Sequence, residues 1–301
     1  MAKIVLGLNL SWAVKRWPMP DEWSEIVAKN DVKYVQFSFD LFDPRSTQAA
    51  VEHMAGLIRD AIKRYGIVIH STFTGLAAYS YNLLAHPDPI IRMDAVDWYT
   101  KAIDFTSKID VKATGGHIGA KSVRDYKDAS RRTFMDLVLF DTVKALRKYA
   151  QSKGLEMILW EPLPVPRETP WNMAETEEVL RKANEGAGVA VKLNIDVGHQ
   201  CTLQGVEASP YEWLKRFAPQ SPAVHIQQTD GKADRHWPFT EEYNKIGIIK
   251  PDKLIEAIEQ SGAKEVYLFL EYIPPFEAPD DEVLQNLEIS VKYLKQFIPT
   301  T

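Results

Sequence analysis

The chain has 301 residues, of which 45% are hydrophobic, so it can bury one large core or two small ones. Its net charge of −5 at pH 7 provides no overall basic field for nucleic acid, although a local basic groove is compatible with that charge. The single cysteine, Cys201, excludes an intrachain disulfide framework, and no run of eighteen uncharged apolar residues predicts a membrane span. The first ten residues lead directly into a strand-like run without the features of a secretory signal, so we expect a cytoplasmic protein.

Eight short runs rich in apolar, β-branched and aromatic residues predict eight strands buried on both faces. These runs are residues 3–10, 34–39, 67–69, 111–116, 155–160, 189–195, 223–224 and 266–270. A helical stretch follows each of them: residues 20–29, from about 46 to 65, a stretch after Pro87, then 129–153, 173–184, 211–217, a stretch from 251 and 280–297. Strict alternation of this kind requires parallel strands joined by crossover helices.

Eight strand–helix units are the number in a closed (β/α)8 barrel, and the chain length suits that fold. No glycine-rich phosphate fingerprint follows the first strand, which makes a doubly wound dinucleotide-binding sheet the weaker alternative. We find no linker, low-complexity tract or shift in composition that would mark a second domain. The sequence therefore predicts an α/β fold, a single-domain (β/α)8 TIM barrel over residues 1–301.

Four of the apolar runs end in a metal-capable side chain: Glu161, Asp196, His225 or Glu271. An ionisable group that closes a buried strand is costly to bury without a partner, and a shared divalent cation is the simplest partner. A TIM barrel would bring these residues together, because its active sites lie at the carboxyl ends of the strands. Mixed carboxylate and imidazole ligands suit Mn²⁺, Mg²⁺, Co²⁺ or Zn²⁺.

Further metal- or substrate-binding candidates lie at or near the same predicted strand ends: His70, His117, His199, Asp234, Arg235 and His236. Each also has an ordinary structural explanation, such as a satisfied buried histidine, an ion pair or a helix cap. Candidates for substrate contacts are Lys15 and Arg16, which could hold a phosphate, with Trp12 and Trp237. Six aromatic residues near the strand ends are expected to wall a small cavity that loop 237–243 covers: Trp12, Trp17, Phe39, Phe73, Trp160 and Trp237.

The strings LWEP, NIDVGH, VHIQQTDG and LFLEY resemble those of the xylose-isomerase-like barrel superfamily, and the likeness covers essentially the whole chain. In its ketose 3-epimerase branch two glutamates, an aspartate and a histidine bind one divalent metal. The resemblance thus implies Glu161, Asp196, His225 and Glu271 as metal ligands, with His199 contacting substrate. It also implies a homo-oligomer.

The apurinic-site endonuclease branch binds three zinc ions with nine ligands, and this sequence is similar to that pattern as well. The matching residues are His70, His117, Glu161, Asp196, His199, His225, Asp234, His236 and Glu271. The acidic, aromatic loop 237–243 and the few basic residues on the rim favour a small sugar over DNA. We therefore predict a metal-dependent isomerase or epimerase of a sugar or sugar phosphate.

In this reaction Glu161 and Glu271 move a proton next to the carbonyl of a ketose, through an enediolate. A metal-dependent phosphodiesterase acting at abasic DNA is the alternative. A non-enzymatic sugar- or metal-binding barrel ranks third, because binding alone gives little reason for two strand-end glutamates around one metal.

Overall fold

Eight parallel strands form a closed barrel in the computed structural model of the protein, which describes residues 2–300. The strands follow chain order around the barrel, each pairing with the next, and the last pairs with the first. They are β1 (Lys3–Asn9), β2 (Tyr34–Ser38), β3 (Val68–Phe73), β4 (Ala113–Gly116), β5 (Met157–Trp160), β6 (Ala190–Asp196), β7 (Ala223–Ile226) and β8 (Glu265–Leu270). The predicted single-domain TIM barrel is confirmed.

Helices surround the barrel, and the eight long crossover helices lie where the sequence predicts them. In chain order the helices are α1 (Pro20–Lys29), α2 (Gln48–Tyr65), α3 (Gly75–Tyr79), α4 (Pro89–Lys108), α5 (Val123–Lys127), α6 (Ala129–Ser152), α7 (Met173–Ala183), α8 (Pro210–Phe217), α9 (Glu241–Ile246), α10 (Pro251–Ser261) and α11 (Asp280–Leu294). Helices α3, α5 and α9 were not predicted, because they are too short to show a helical period. Among residues 2–300, no helix is both long and apolar enough to cross a membrane.

Local signals explain where the helices begin and end. Helix α2 begins at Gln48, because the side chain of Thr47 accepts a hydrogen bond from the amide of Ala50. It ends at Gly66, whose φ of 69° is the left-handed conformation that glycine adopts without strain. Asp88 caps α4 by accepting hydrogen bonds from two backbone amides. Such caps fix the lengths of the helices and hence the loops that carry the candidate site.

The inside of the barrel holds a layer of buried amides below the carboxyl ends of the strands. Asn9, Gln36 and Asn194 are fully buried there and bond to one another. A buried amide costs free energy unless it is hydrogen-bonded, and this network satisfies that condition. It provides a rigid polar floor for the side chains that lie above it.

His70 does not lie at the carboxyl end of its strand, so the predicted placement is wrong. Strand β3 continues through Ser71 and Thr72 to Phe73, because the backbone of residues 71–73 pairs with β2 and that of residues 72–73 pairs with β4. His70 precedes Phe73 by three residues, which is about 10 Å along a strand. Its ring packs 4.6 Å from that of Tyr267, measured between centroids. His70 is therefore separated from the other candidate ligands.

The partly buried imidazole of His70 should make the protein less stable in acid. Burial lowers the pKa of His70 to about 4, against an unfolded value of about 6.5. Between these values the unfolded chain binds a proton that the folded chain does not, so the unfolding free energy falls as the pH drops from 6.5 to 4. The unfolding free energy of the wild type should decrease between pH 7.5 and pH 5. In His70→Gln this decrease should be smaller by about 1–2 kcal/mol. Urea unfolding at both pH values measures this, and equal losses in variant and wild type would contradict it.

Candidate metal centre

Four side chains from adjacent strands meet at the carboxyl end of the barrel, and all four are buried. Nδ1 of His225 lies 3.1 Å from Oε1 of Glu161 and 3.0 Å from Oε2 of Glu271. Oδ2 of Asp196 lies 4.0 Å from the same nitrogen. Strands β5 to β8 therefore bring together Glu161, Asp196, His225 and Glu271, the four residues predicted to share one ion.

The buried amides below this set orient it. Oε1 of Gln36 accepts a hydrogen bond from Nε2 of His225, so Nδ1 is the ring nitrogen that faces the two glutamates. Nδ2 of Asn194 donates to Oε1 of Glu161 at 3.1 Å. Partners of this kind fix the tautomer and direction of a metal-ligating histidine. The sequence analysis missed Gln36 and Asn194, whose only signal was an amide inside an otherwise apolar strand.

A second group lies beside the first, in the loops after β6 and β7. Oδ2 of Asp234 is 3.0 Å from Nε2 of His236 and 3.5 Å from Nε2 of His199. Gln227 connects the two groups, because its Nε2 donates to Asp196 at 3.0 Å and to Asp234 at 2.6 Å. Nδ1 of His236 is 3.4 Å from Oε2 of Glu271. The two groups therefore form one continuous site.

The carboxylates give this site a negative potential. Burial raises the pKa of Asp196 to about 6, although His199 and His236 oppose the rise. Burial alone would lower the pKa of His225. The negative charges of Glu271 and Glu161 have the larger effect and raise that pKa well above its ordinary value. For His236, burial is outweighed in the same way by Asp234 and Glu271, and its pKa rises to about 10. A buried site that attracts protons so strongly is electrostatically suited to a divalent cation.

The donor set fits such a cation. Oδ2 of Asp196, Nδ1 of His236 and Nε2 of His117 are buried without a hydrogen-bond partner among the described residues. Buried polar atoms are normally paired, so these three atoms at one site are available to coordinate an ion. Three overlapping groups have atoms close enough to hold an ion: Glu161, His225 and Glu271; Asp196, His236 and Glu271; and His199, Asp234 and His236.

A cavity of about 260 Å³ opens above these residues. Its floor includes Glu161, Glu271 and His117, and its walls come mainly from the loops after β3, β5 and β8. The ring of Tyr79 lies 4.9 Å from that of His117, and the hydroxyl of Tyr79 donates to Glu168 at 3.3 Å. This volume is just below the roughly 300–1,000 Å³ of pockets for drug-sized ligands. The site therefore suits a small molecule.

The basic residues proposed to contact substrate lie outside this cavity. The Arg16 side chain, only 6% exposed, binds Asp280 at 3.0 Å and donates to three backbone carbonyls, so it anchors the loop after β8. Nζ of Lys15 lies over the ring of Phe276. Arg235 binds Asp230 at 3.2 Å. Each of these cations therefore contacts a loop residue of the protein itself. The sequence pattern does not show these contacts.

Of the aromatic residues expected to wall the cavity, only Phe73 does so. Trp160 points away because it precedes the inward-facing Glu161, and successive strand side chains alternate in direction. Its Nε1 donates to the carbonyl of Thr169. Trp12, Trp17 and Phe39 likewise do not line the cavity, and Trp12 is fully buried.

None of residues 237–243 lines the cavity, in contrast to the prediction. The amide of Phe239 donates to Ser290 of α11, and its ring stacks on that of Tyr293. The ring of Trp237 packs 4.8 Å from Tyr243. Phe239 therefore attaches this loop to helix α11, whereas Trp237 packs within the loop.

The barrel fold of the chain agrees with comparisons to known proteins. Residues 24–295 match the family model described as xylose isomerase-like TIM barrel. The chain belongs to this family. It is 34% identical to a putative xylose isomerase from Rhodospirillum rubrum ATCC 11170, whose crystal structure superposes with a TM-score of 0.92 over 98% of this chain and 100% of that one.

Two further proteins resemble the chain over nearly its full length. D-erythrulose 1-phosphate 3-epimerase from Brucella abortus (strain 2308) is 26% identical over 302 residues, covering 99% of this chain and 97% of that protein. The crystal structure of D-psicose 3-epimerase in the presence of D-fructose has a TM-score of 0.71 at 14% identity, covering 98% and 99% of the two chains. The second likeness concerns the fold alone.

Removing the hydrogen bond between Gln36 and His225 should weaken metal binding. Gln36→Met keeps the approximate volume but leaves Nε2 of His225 without its acceptor, so the ring loses its fixed tautomer. We expect metal affinity to fall about 10–100-fold, with turnover largely recovered at saturating metal. Calorimetric titration of metal-stripped protein measures the affinity. Unchanged affinity would show that Asn9 and Asn194, which also contact this ring, orient it without Gln36.

Proposed function

We propose that the protein is a divalent-metal-dependent isomerase or epimerase that moves a proton next to the carbonyl of a ketose. The single observation that carries this proposal is the position of Glu161 and Glu271. Both line one cavity, and both approach Nδ1 of His225 within 3.1 Å. Two carboxylates beside a common ligand nitrogen provide a proton acceptor and a proton donor for one small substrate.

The metal would be held by Glu161, Asp196, His225 and Glu271. A divalent ion bound there supplies Lewis acidity that polarises the carbonyl and the neighbouring hydroxyl of the ketose. Full-length similarity to D-erythrulose 1-phosphate 3-epimerase supports sugar chemistry of this kind.

The side chains of this protein would carry out the proton transfers. One glutamate removes the proton from the carbon next to the carbonyl, and the other returns a proton to the enediolate. Burial of both carboxylates excludes water and keeps them close to the reacting carbon. His199, whose Nδ1 lies 3.1 Å from the carbonyl oxygen of Pro162, is held with Nε2 toward Asp234 and would orient a substrate oxygen.

Deuterium exchange tests this proposal directly. The metal-loaded enzyme is incubated in D₂O with a panel of ketoses and ketose phosphates, and deuterium at the carbon next to the carbonyl is followed by NMR. We expect exchange with at least one ketose, accompanied by formation of an epimer or aldose. An abasic-DNA nicking assay runs in parallel with the same preparation. Nicking of DNA without exchange in any sugar would replace this proposal with the phosphodiesterase alternative.

A further inference from the structure

Gln227 lies directly after β7, and its fully buried side chain uses every hydrogen-bonding position of its amide. Nε2 donates to Oδ1 of Asp196 at 3.0 Å and to Oδ1 of Asp234 at 2.6 Å. Oε1 accepts from the backbone amides of Arg235 and His236, at 3.2 Å and 2.5 Å. The opposite orientation would place the NH2 group against two N–H donors and the oxygen against two carboxylates. The network therefore fixes one orientation of this side chain.

One end of this network acts on Asp196, a proposed metal ligand. Oδ1 of this carboxylate accepts from Nε2 of Gln227 and, at 2.6 Å, from the backbone amide of Gly198. The other oxygen, Oδ2, is buried without a hydrogen-bond partner among residues 2–300. A Cβ atom at Gly198 would lie 2.5 Å from Cδ of Gln227, so glycine at this position leaves room for the amide. The two hydrogen bonds to Oδ1 thus leave Oδ2 as the oxygen available to a cation.

The other end of the network acts on the 234–236 turn. His236 has a φ of 50°, a left-handed conformation that residues with a Cβ atom adopt at a steric cost. Such a conformation persists where surrounding contacts stabilise it. Here Oε1 of Gln227 accepts from two amides of the turn, and the carbonyl of His236 accepts from the amide of Ile273 at 3.2 Å. These contacts hold the imidazole with Nδ1 at 3.4 Å from Oε2 of Glu271.

We propose that Gln227 is a positioning residue that couples the metal position at Asp196 to the conformation of the 234–236 turn. A cation bound to Oδ2 restricts the Asp196 carboxylate, which in turn restricts the amide of Gln227 and the two backbone amides that it binds. Coupling between two parts of a protein is reciprocal, so metal binding stabilises the turn and the intact turn raises metal affinity. This inference rests on the metal site of the proposed function and adds a link between that site and His236.

Gln228 provides a matched control, because it is the next residue along the chain and is equally buried. Its Nε2 donates to the side chain of Asn244 and the carbonyl of Ile249, and its Oε1 accepts from the amides of Thr229 and Ile249. None of these partners belongs to the candidate metal centre. The two glutamines thus make the same number of hydrogen bonds, but of the two only Gln227 contacts a candidate ligand.

Hydrogen exchange resolved to single amides by mass spectrometry tests the coupling in the wild-type protein, with Mn²⁺ as the probe. Loading of chelator-stripped protein should slow exchange at the amides of Arg235 and His236 by about 10-fold, within the range of typical coupling energies. The amides of Thr229 and Ile249, which bind Gln228, should change by less than about 2-fold. An equal change in both pairs of amides would indicate general stabilisation and overturn the inference.

Calorimetric titration of the same preparation with Mn²⁺ separates this inference from the proposed function. Mn²⁺ binding without any change in exchange at Arg235 and His236 overturns the inference. It leaves the proposed function intact, because deuterium exchange into ketoses is assayed separately. Absence of Mn²⁺ binding overturns both.

The variants Gln227→Met and Gln228→Met provide a second, independent test. Both lose four hydrogen bonds, so both should unfold at a lower temperature than the wild type. Only Gln227→Met should lower Mn²⁺ affinity, by about 10–100-fold, as is typical when a residue that orients a metal ligand is replaced. It should also abolish the effect of Mn²⁺ on exchange at Arg235 and His236. Equal affinity losses in the two variants, or unchanged affinity in Gln227→Met, would overturn the inference.

Discussion

Replacing either Glu161 or Glu271 by glutamine should lower deuterium exchange by at least about 1,000-fold, within the range that general acid–base residues contribute. Glutamine keeps the shape and one oxygen donor of the side chain, but it cannot accept and release a proton. Because both carboxylates would be needed in one catalytic cycle, each single variant should lose almost all turnover. The double variant should exchange deuterium little more slowly than either single variant, because the two residues would act as one unit.

The same side chains would also bind the metal, so the variants must be separated from simple metal loss. Exchange is therefore measured over a range of Mn²⁺ concentrations, and the low rate should persist at saturating metal. Glu156→Gln is the matched control, because this exposed glutamate lies just before β5, at the end of the barrel opposite to Glu161. His53→Ala on the exposed face of α2 is a second control. Substantial turnover by either site variant at saturating metal would contradict the assigned roles.

The fold and the proximity of the four strand-end side chains could be predicted because they follow from periodic patterns. Strict alternation of strand and helix leaves few arrangements, and a closed barrel brings its strand ends together. Glu161, Asp196, His225 and Glu271 could be recognised individually, because each interrupts or closes an apolar run. Their convergence then followed from the fold, without knowledge of any side-chain conformation.

The remaining features depend on contacts between distant segments and could not be read from the sequence. His70 seemed to end a strand, but backbone pairing with β2 and β4 extends β3 three residues further. Arg16 seemed available for substrate, but it binds Asp280, far along the chain. In the sequence Gln36 is an ordinary strand residue, and only the closed barrel places its side chain against His225. In each case the local pattern was compatible with several partners, and tertiary structure selected one.

Complete removal of metal should abolish exchange, and about one equivalent of Mn²⁺ or Co²⁺ per chain should restore it. The reason is that the candidate ligand atoms differ in the hydrogen bonds that they already make within the protein. Carboxylate oxygens of Glu161, Asp196 and Glu271 lie within 4.0 Å of Nδ1 of His225, and the buried Oδ2 of Asp196 has no hydrogen-bond partner among the described residues. In contrast, both oxygens of Asp234 are hydrogen-bonded, one to Gln227 and one to His236.

The nine residues that resemble a three-zinc site include His70, which the structure places about 10 Å along the strand from the carboxyl end of β3. Dialysis against a chelator, reconstitution with each metal and elemental analysis of the loaded protein measure the ratio. Loading should also raise the unfolding free energy by about 2.7 kcal/mol when free metal is 100 times its Kd. Three tightly bound ions per chain would contradict the single-ion site and favour phosphodiester chemistry, because the group of His199, Asp234 and His236 would then be a metal site as well.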